Sequence, residues 1–120
     1  MREHAPQIVV TIQGDVTVVE LTDRKILDEV SISQIGAQLA ALTQSPAPRM
    51  VIDFKNVAHM SSSALGMLIN ANGRIKSKNG QLRLANIKPQ ILEVFVITKL
   101  NKLFKILPTR TEALANFTAH

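Results

Sequence analysis

Cysteine, tryptophan and tyrosine are absent from this chain of 120 residues, and phenylalanine occurs only four times. Without cysteine, the protein can form neither a disulfide scaffold nor a thiolate metal site. Proteins that bind single-stranded nucleic acid stack the bases on exposed aromatic rings, so the shortage of rings argues against that class. The histidines lie far apart in sequence, at His4, His59 and His120. We therefore expect no metal and no cofactor.

Long apolar runs are missing as well. No run reaches the roughly 18 residues that a membrane-spanning helix requires, and the first six residues lack the apolar core of a signal peptide. We therefore expect a cytoplasmic protein without membrane insertion. The hydrophobic fraction of 46% and the charged fraction of 19% are typical of a globular protein, and the length predicts one domain over residues 1–120, with residues 1–6 disordered.

The net charge of +5 raises the question of nucleic-acid binding. The basic residues are scattered, however, and their densest cluster is Arg74, Lys76 and Lys78. These residues fall near the C-terminus of a predicted helix, where cations are favourable in any case. A solvated helix face explains this cluster better than a nucleic-acid interface, so no nucleic-acid partner is predicted.

The hydrophobic pattern alternates between strand and helix. Two β-branched runs, 8–12 and 16–21, flank Gln13-Gly14-Asp15, which is typical of a β-hairpin. Apolar runs predict further strands at 50–54, 82–87 and 103–107, and helical periodicity predicts helices at 31–44, 61–78, 89–99 and from 109 onward. The order β-β-α-β-α-β-α-β-α predicts an α/β domain whose mixed central sheet is packed by helices.

Two helix starts are indicated by capping boxes, in which Ser or Thr is followed three residues later by Gln or Glu. Ser31 with Gln34 predicts the start of the first helix, and Thr109 with Glu112 predicts the start of the last. The polar residues between the second strand and Ser31 are expected to be irregular. The last helix is expected to bury Leu114 and Phe117.

The most informative stretch is the run Ser61-Ser62-Ser63, which follows a buried strand and a short loop and opens the second helix. Serines at a helix start are ordinary N-caps, because a hydroxyl oxygen accepts a hydrogen bond from a free backbone N–H. The same position suits a phosphate, since free N–H groups and the positive end of the helix dipole both favour an anion. From the residues alone, both interpretations stay open.

The helix that follows has two different faces. At about 100° per residue, one face gathers Leu65, Leu68, Asn72 and Ile75, with Ile69 beside them. The opposite face carries Ser63, Gly66, Met67, Asn70, Gly73, Arg74 and Ser77. Each glycine inside a helix costs about 1 kcal/mol relative to alanine. Gly66 and Gly73 therefore predict a groove for a partner, with Met67 as an adaptable contact; the alternative is that packing alone tolerates them.

Ser62, His59 and Asp53 together raise the alternative of a serine hydrolase. The chain has no Gly-x-Ser-x-Gly elbow, and three such residues in one short stretch more often lie together by accident. No enzyme and no catalytic residue is therefore predicted.

The stretch 51–66 resembles the phosphorylation region of bacterial STAS domains, the family of anti-sigma-factor antagonists. Members of that family read approximately hydrophobic-hydrophobic-Asp/Asn-Leu and then, several residues later, Met-Asp-Ser-Ser/Thr-Gly-Leu-Gly. The segment 97–106 is also similar to the family's segment before the last strand. In this resemblance Ser62 occupies the phosphoacceptor position, Ser63 the neighbouring hydroxyl position, and Asp53 the acidic position at the strand end.

What the resemblance implies is partner switching. Such domains bind an anti-sigma factor that is also a serine-protein kinase; the kinase phosphorylates and releases the domain, and a serine phosphatase restores it. Ser61 and Ala64 stand where the family usually has Asp and Gly. The alternative is therefore a STAS scaffold that is never phosphorylated, or a subunit of a transporter-associated or stressosome-like complex. The predicted partner surface comprises Asp53, Ser61, Ala64, Gly66, Met67, Asn70 and Gly73.

Overall fold

The hairpin at the start of the chain forms as its sequence predicts. In the computed structural model, which describes residues 8–117, β1 (Ile8–Gln13) and β2 (Val16–Leu21) pair in antiparallel orientation. Gly14 takes a φ of 64°, a left-handed conformation that the two-residue turn needs and that glycine adopts without strain. The disorder predicted for residues 1–6 lies outside the described residues.

Five more strands follow in the described part of the chain: β3 (Lys25–Ile26), β4 (Arg49–Asp53), β5 (His59–Met60), β6 (Gln81–Ala85) and β7 (Lys105–Leu107). The main sheet has the order β1-β2-β4-β6-β7. Its β2–β4, β4–β6 and β6–β7 pairs are parallel, whereas β1–β2 is antiparallel. The prediction of an α/β domain with a mixed sheet is confirmed.

β3 and β5 form a separate ribbon in a region of which the sequence predicted one part to be irregular. They pair in parallel, with Lys25 opposite His59 and Ile26 opposite Met60. The prediction that the residues between the second strand and Ser31 are irregular was therefore wrong at β3. Nothing in the sequence indicates this strand, because two residues are too few to show the alternation by which a strand is recognised. The ribbon matters because β5 leads directly into the serines, where the Ser61 N–H donates to the Ile26 carbonyl oxygen at 3.0 Å.

The α-helices in the described residues are α1 (Glu29–Leu42), α2 (Ser62–Ser77), α3 (Pro89–Ile97) and α4 (Arg110–Leu114), and a short 3-10 helix, Leu100–Lys102, lies before β7. α1 begins earlier than predicted because its N-cap is Asp28, whose carboxylate accepts from the Ser31 N–H at 2.9 Å. The capping box predicted at Ser31 and Gln34 was therefore wrong. The start predicted for α4 at Thr109 is confirmed, since the Thr109 hydroxyl oxygen accepts from the Glu112 N–H at 3.1 Å; the same hydroxyl lies 3.2 Å from the Glu112 carboxylate.

One core lies on each face of the sheet. The larger core lies between the sheet and α1, α2 and α3, and its fully buried side chains include Ile35, Leu39, Ile52, Leu68 and Phe95. The smaller core lies under α4 and consists of Val16, Val18, Val51, Ala85 and Ala113. α4 buries Ala113 fully but Leu114 only in part, and Phe117 just after it is also partly buried. The predicted burial of Leu114 and Phe117 was therefore only partly correct.

Gly80 and Gly73 should respond in opposite ways to replacement by alanine. A Cβ at Gly80 would overlap the Pro48 carbonyl oxygen and lie 2.8 Å from Cγ2 of Ile75, whereas a Cβ at Gly73 meets nothing within 4 Å. We expect Gly80→Ala to destabilise the domain by about 1–3 kcal/mol through overpacking. Gly73→Ala should stabilise it by up to about 1 kcal/mol through helix propensity. Urea unfolding measures both changes, and equal effects would contradict the packing around Gly80.

Candidate functional site

Ser61 holds the start of α2 in place. Its N–H donates to the Ile26 carbonyl oxygen at 3.0 Å, and its Oγ accepts from the Ala64 N–H at 3.2 Å. The second bond makes Ser61 the N-cap of α2. Because both groups are used inside the domain, Ser61 acts first as a structural residue that fixes where the next two serines stand.

Ser62 and Ser63 occupy the first two positions of α2, and both side chains are exposed. The Ser63 hydroxyl donates to a carboxylate oxygen of Glu29, in the first turn of α1, at 3.0 Å. The Ser62 hydroxyl has no hydrogen-bond partner among residues 8–117. Both serines are therefore accessible to another protein, but only Ser63 already has a carboxylate as its neighbour.

One stripe of residues runs along α2 from Ser62; three of its members are exposed and Gly66 is half-buried. Ser62, Gly66, Ile69 and Gly73 follow one another at spacings of four, three and four residues, which places them on one side of the helix. We call these four residues the α2 stripe. Ile69 is 38% exposed, although the sequence predicted it beside the buried face, and a Cβ on either glycine would meet nothing within 4 Å. The α2 stripe thus presents one apolar side chain between two patches of bare backbone.

Met67 lies on another flank of α2, against α1. It is 8% exposed, and its Cγ lies 3.2 Å from where a Cβ on Gly36 would stand. A groove of about 320 Å³ runs between α1 and α2, lined in part by Glu29, Ile32, Gly36, Ser63, Met67 and Asn70. The prediction that Met67 is an exposed contact was therefore wrong, because α1 covers most of it. Asn70 is exposed at the side of this groove.

Asp53 and Ala64 are buried, so neither contacts a partner directly. One carboxylate oxygen of Asp53 accepts from the Lys55 N–H at 2.9 Å and from the Asn86 side-chain amide at 3.0 Å. The other accepts from Nε of Arg110 at 2.9 Å. Asp53 thus ties the end of β4 to two loops and to α4. The partner contact predicted for Asp53 and Ala64 does not fit their burial and is corrected to a structural role.

The serine hydrolase alternative finds no support in this arrangement. The hydrogen bonds to the Asp53 carboxylate come from groups other than His59, which is exposed in β5. A nucleophilic serine needs a base that is oriented by a third group. Among residues 8–117, no hydrogen bonds link the Ser62 hydroxyl to a base and that base to a third group. The same residues contain no group of three His, Asp or Glu side chains placed to hold a metal ion.

The basic residues near the end of α2 do not act as one patch. Arg74 lines the groove between α1 and α2, whereas Nζ of Lys78 donates to the Gln44 carbonyl oxygen at 3.0 Å. On β6, the Arg83 guanidinium lies 5.0 Å from the centre of the Phe117 ring, and burial lowers its pKa below the usual arginine value. Several cations thus have structural contacts.

In the part of the chain that the structure describes, no helix has the length and apolar character needed to cross a membrane.

A cluster of charged and amide groups around Asp53 was not predicted from the sequence. Arg110 also donates to Glu20 at 3.1 Å, and the Asn56 side chain donates to the same carboxylate group at 2.9 Å. Glu20 and Asp53 lie opposite each other on β2 and β4. An acidic residue near the end of each of two predicted strands was the available signal, but no spacing rule connects these strands to Arg110.

Comparison with known proteins agrees with this fold. The model of the STAS domain family matches residues 7–113, so the chain belongs to the STAS domain family. A solved structure of an anti-sigma-factor antagonist (STAS) domain protein from Planctomyces limnophilus is similar to it, with a TM-score of 0.83 and 27% sequence identity. That similarity covers 90% of this chain and 95% of the Planctomyces chain. The predicted family is therefore confirmed.

Two relatives show the same family by sequence. A STAS-domain containing protein of Pseudomonas aeruginosa is 38% identical over 58 residues, which make up 48% of this chain and 57% of that protein. BtrV of Bordetella bronchiseptica, a candidate anti-sigma factor antagonist, is 27% identical over 92 residues, or 77% of this chain and 79% of BtrV. The match thus spans little more than half of the Pseudomonas protein.

Proposed function

We propose that this chain is a regulatory binding module of the anti-sigma-factor antagonist kind, switched by reversible phosphorylation of Ser62. The antagonists from Planctomyces limnophilus and Bordetella bronchiseptica support the class. The observation that carries the switch is the position of Ser62, which is exposed at the head of the α2 stripe. In the cytoplasm, the unphosphorylated module docks on an anti-sigma factor that is also a serine-protein kinase, and so frees a sigma factor.

Ser62 is a better phosphoacceptor than Ser63 for an electrostatic reason. A phosphate on Ser63 would be attached beside the Glu29 carboxylate, which now lies 3.0 Å from the Ser63 hydroxyl. A phosphoserine carries about −1.5 to −2 charges at pH 7. Two like unit charges 4 Å apart repel by about 1 kcal/mol in water and about 4 kcal/mol at an effective dielectric constant of about 20. Ser62 hydrogen-bonds to no carboxylate among the described residues, so Ser63 is the reserve acceptor.

The fold tolerates a phosphate on Ser62, whereas a docked partner does not. The first turn of α2 contains no acidic residue. Its free N–H groups and the helix dipole favour an anion by about 0.3–1 kcal/mol. A partner that lies along the α2 stripe, however, meets the added charge at the end of its contact and must neutralise it or dissociate. A serine phosphatase then restores the form that binds.

The two departures from the family pattern are compatible with this switch. Serine and aspartate are comparable N-caps, so Ser61 keeps the helix start that the usual Asp would give. Ala64 is fully buried and packs in the larger core. The absence of a carboxylate at Ser61 also removes a negative charge beside the acceptor, which lowers the electrostatic cost of adding phosphate to Ser62.

Phosphate transfer to Ser62 is tested by incubation with ATP and a serine-protein kinase of the anti-sigma-factor type from the same organism. Wild type and Ser63→Ala are expected to gain one phosphate, and Ser62→Ala none, because Ser62 is the one of these two exposed serines that does not bond to Glu29. Mass spectrometry after proteolysis locates the group. Modification of Ser62→Ala at the wild-type level would contradict the assignment. No modification of any variant by a kinase that is active on another substrate would favour the STAS scaffold instead.

A further inference from the structure

The outer edge of β1 is unprotected. β1 lies at one edge of the main sheet, and no other strand in the described part of the chain pairs with its outer side. Its six residues carry no charge and no proline, and Val9, Val10 and Ile12 are exposed, Ile12 by 64%. Natural edge strands are usually short, charged or interrupted, because a free edge pairs with other chains. The opposite edge follows that rule, since β7 has three residues, begins with Lys105 and is followed by Pro108.

The backbone groups along this edge belong to alternate residues. β1 and β2 are joined by a two-residue turn, and Gln13 opposite Val16 is the pair next to it. In a two-residue hairpin that pair exchanges both of its hydrogen bonds, and the pattern then alternates along the strand. The odd-numbered residues of β1 therefore bond to β2. The even-numbered residues direct their N–H and C=O groups outward, and they are Ile8, Val10 and Ile12.

These three residues also carry apolar side chains on the α1 side of the sheet. Val10 lies opposite Val19 and Ile8 lies opposite Leu21, and both partners belong to the larger core. Val10 is 41% exposed and Ile12 is 64% exposed, so the apolar layer of this core continues to the free edge. Ile8, Val10 and Ile12 thus offer an additional strand both outward-directed backbone hydrogen-bonding groups and a row of apolar side chains, which we call the apolar row.

We propose that the occupant of this edge is β1 of a second copy of the chain. Antiparallel pairing about a twofold axis at Val10 places Val10 opposite Val10 and Ile8 opposite Ile12. Because every residue in this apolar row is even-numbered, the outward-directed backbone groups of the two copies meet and the two rows join. The result is one continuous ten-stranded sheet. Although each chain has a net charge of +5, the contacting strands are uncharged, so no like charges meet within them.

The dimer is expected to be weak and to depend on concentration. Standard stable interfaces bury about 1,600 Å² in total, and two short strands alone cover less than that. Salt should favour the dimer, because it screens the repulsion between the two positively charged chains. The contact uses none of the residues of the α2 stripe, so it is independent of the proposed switch.

Sedimentation equilibrium from micromolar to millimolar concentration tests the dimer. The wild-type protein is expected to shift from a mass of 13.2 kDa towards twice that value. Ile12→Lys places a charge on the free edge and should weaken association by about tenfold or more. The matched control is Ile97→Lys, at a position 71% exposed on α3, which should associate as the wild type does. A wild type that stays monomeric, or an Ile12→Lys variant that associates normally, overturns the proposal.

Amide hydrogen exchange identifies what covers the edge. At low concentration the N–H groups of Val10 and Ile12 should exchange fast, whereas those of Val9 and Thr11, which bond to β2, should exchange slowly. At high concentration Val10 and Ile12 should become protected. Protection that is already present at low concentration would mean that another part of the same chain pairs with β1, and it would overturn the assignment to a second copy.

Discussion

Gly66→Leu is expected to lower the affinity for the anti-sigma factor by about 100-fold or more while the domain stays folded. Gly66 lies in the α2 stripe between Ser62 and Ile69. A Cβ at this position meets no atom of the domain within 4 Å. Leucine also favours the helix over glycine by roughly 1 kcal/mol. The loss of affinity therefore comes from the partner, whose atoms approach the bare backbone and would be displaced by a branched side chain.

The matched control adds the same side chain to an exposed position on another helix. Gln38→Leu on α1 should bind the anti-sigma factor as the wild type does, because Gln38 lies outside the α2 stripe. Calorimetric titration with the anti-sigma factor gives both affinities, and thermal unfolding shows that both variants are folded. A Gly66→Leu variant that binds as tightly as the wild type would mean that the partner docks elsewhere.

Local signals were sufficient to predict the main strands and helices. The turn at Gly14, the N-cap at Ser61 and the start of α4 at Thr109 all depend on residues a few positions apart. The buried face of each element also repeats with the period of that element. The same local pattern put the serines at the start of an amphipathic helix, which is why their exposure could be expected before the structure was known.

The side of α2 that is open to solvent could not be predicted in the same way. Met67 was predicted to be exposed and Ile69 to lie beside the buried face, but the structure shows the opposite. α1 packs along one flank of α2 and holds Met67 against Gly36, which leaves Ile69 on the open side. The periodicity of a helix gives its apolar face, but the position of the neighbouring helix decides which flank is covered.

Asp53 shows the same limit for charged residues. An acidic residue at the end of a buried strand was predicted to be a partner contact, and the sequence could not separate that role from a structural one. Arg110 distinguishes these roles, and it is 57 residues away in the chain. Such a contact follows from the way α4 packs on the sheet, which no local pattern specifies.

Arg110→Ala is expected to destabilise the domain by about 3 kcal/mol, the lower end of the range for breaking a buried ion pair. Asp53 is 1% exposed, and among residues 8–117 its charge would keep only the Lys55 N–H and the Asn86 amide as partners without the guanidinium. The lower end applies because the Arg110 side chain is itself 27% exposed, so water can take the place of the guanidinium and hydrogen-bond to the Asp53 carboxylate in the variant. The cost also includes the contact from Arg110 to Glu20.

Lys55→Ala is the matched control, since Lys55 pairs with the same Glu20 carboxylate at 3.7 Å but is 53% exposed. Exposed ion pairs contribute only about 0–1 kcal/mol, and this substitution keeps the backbone N–H that bonds to Asp53. Denaturant unfolding of wild type and both variants gives the two free-energy changes. If Arg110→Ala cost no more than Lys55→Ala, Arg110 would not be what holds the Asp53 carboxylate inside the domain, and a partner contact for Asp53 would again be open.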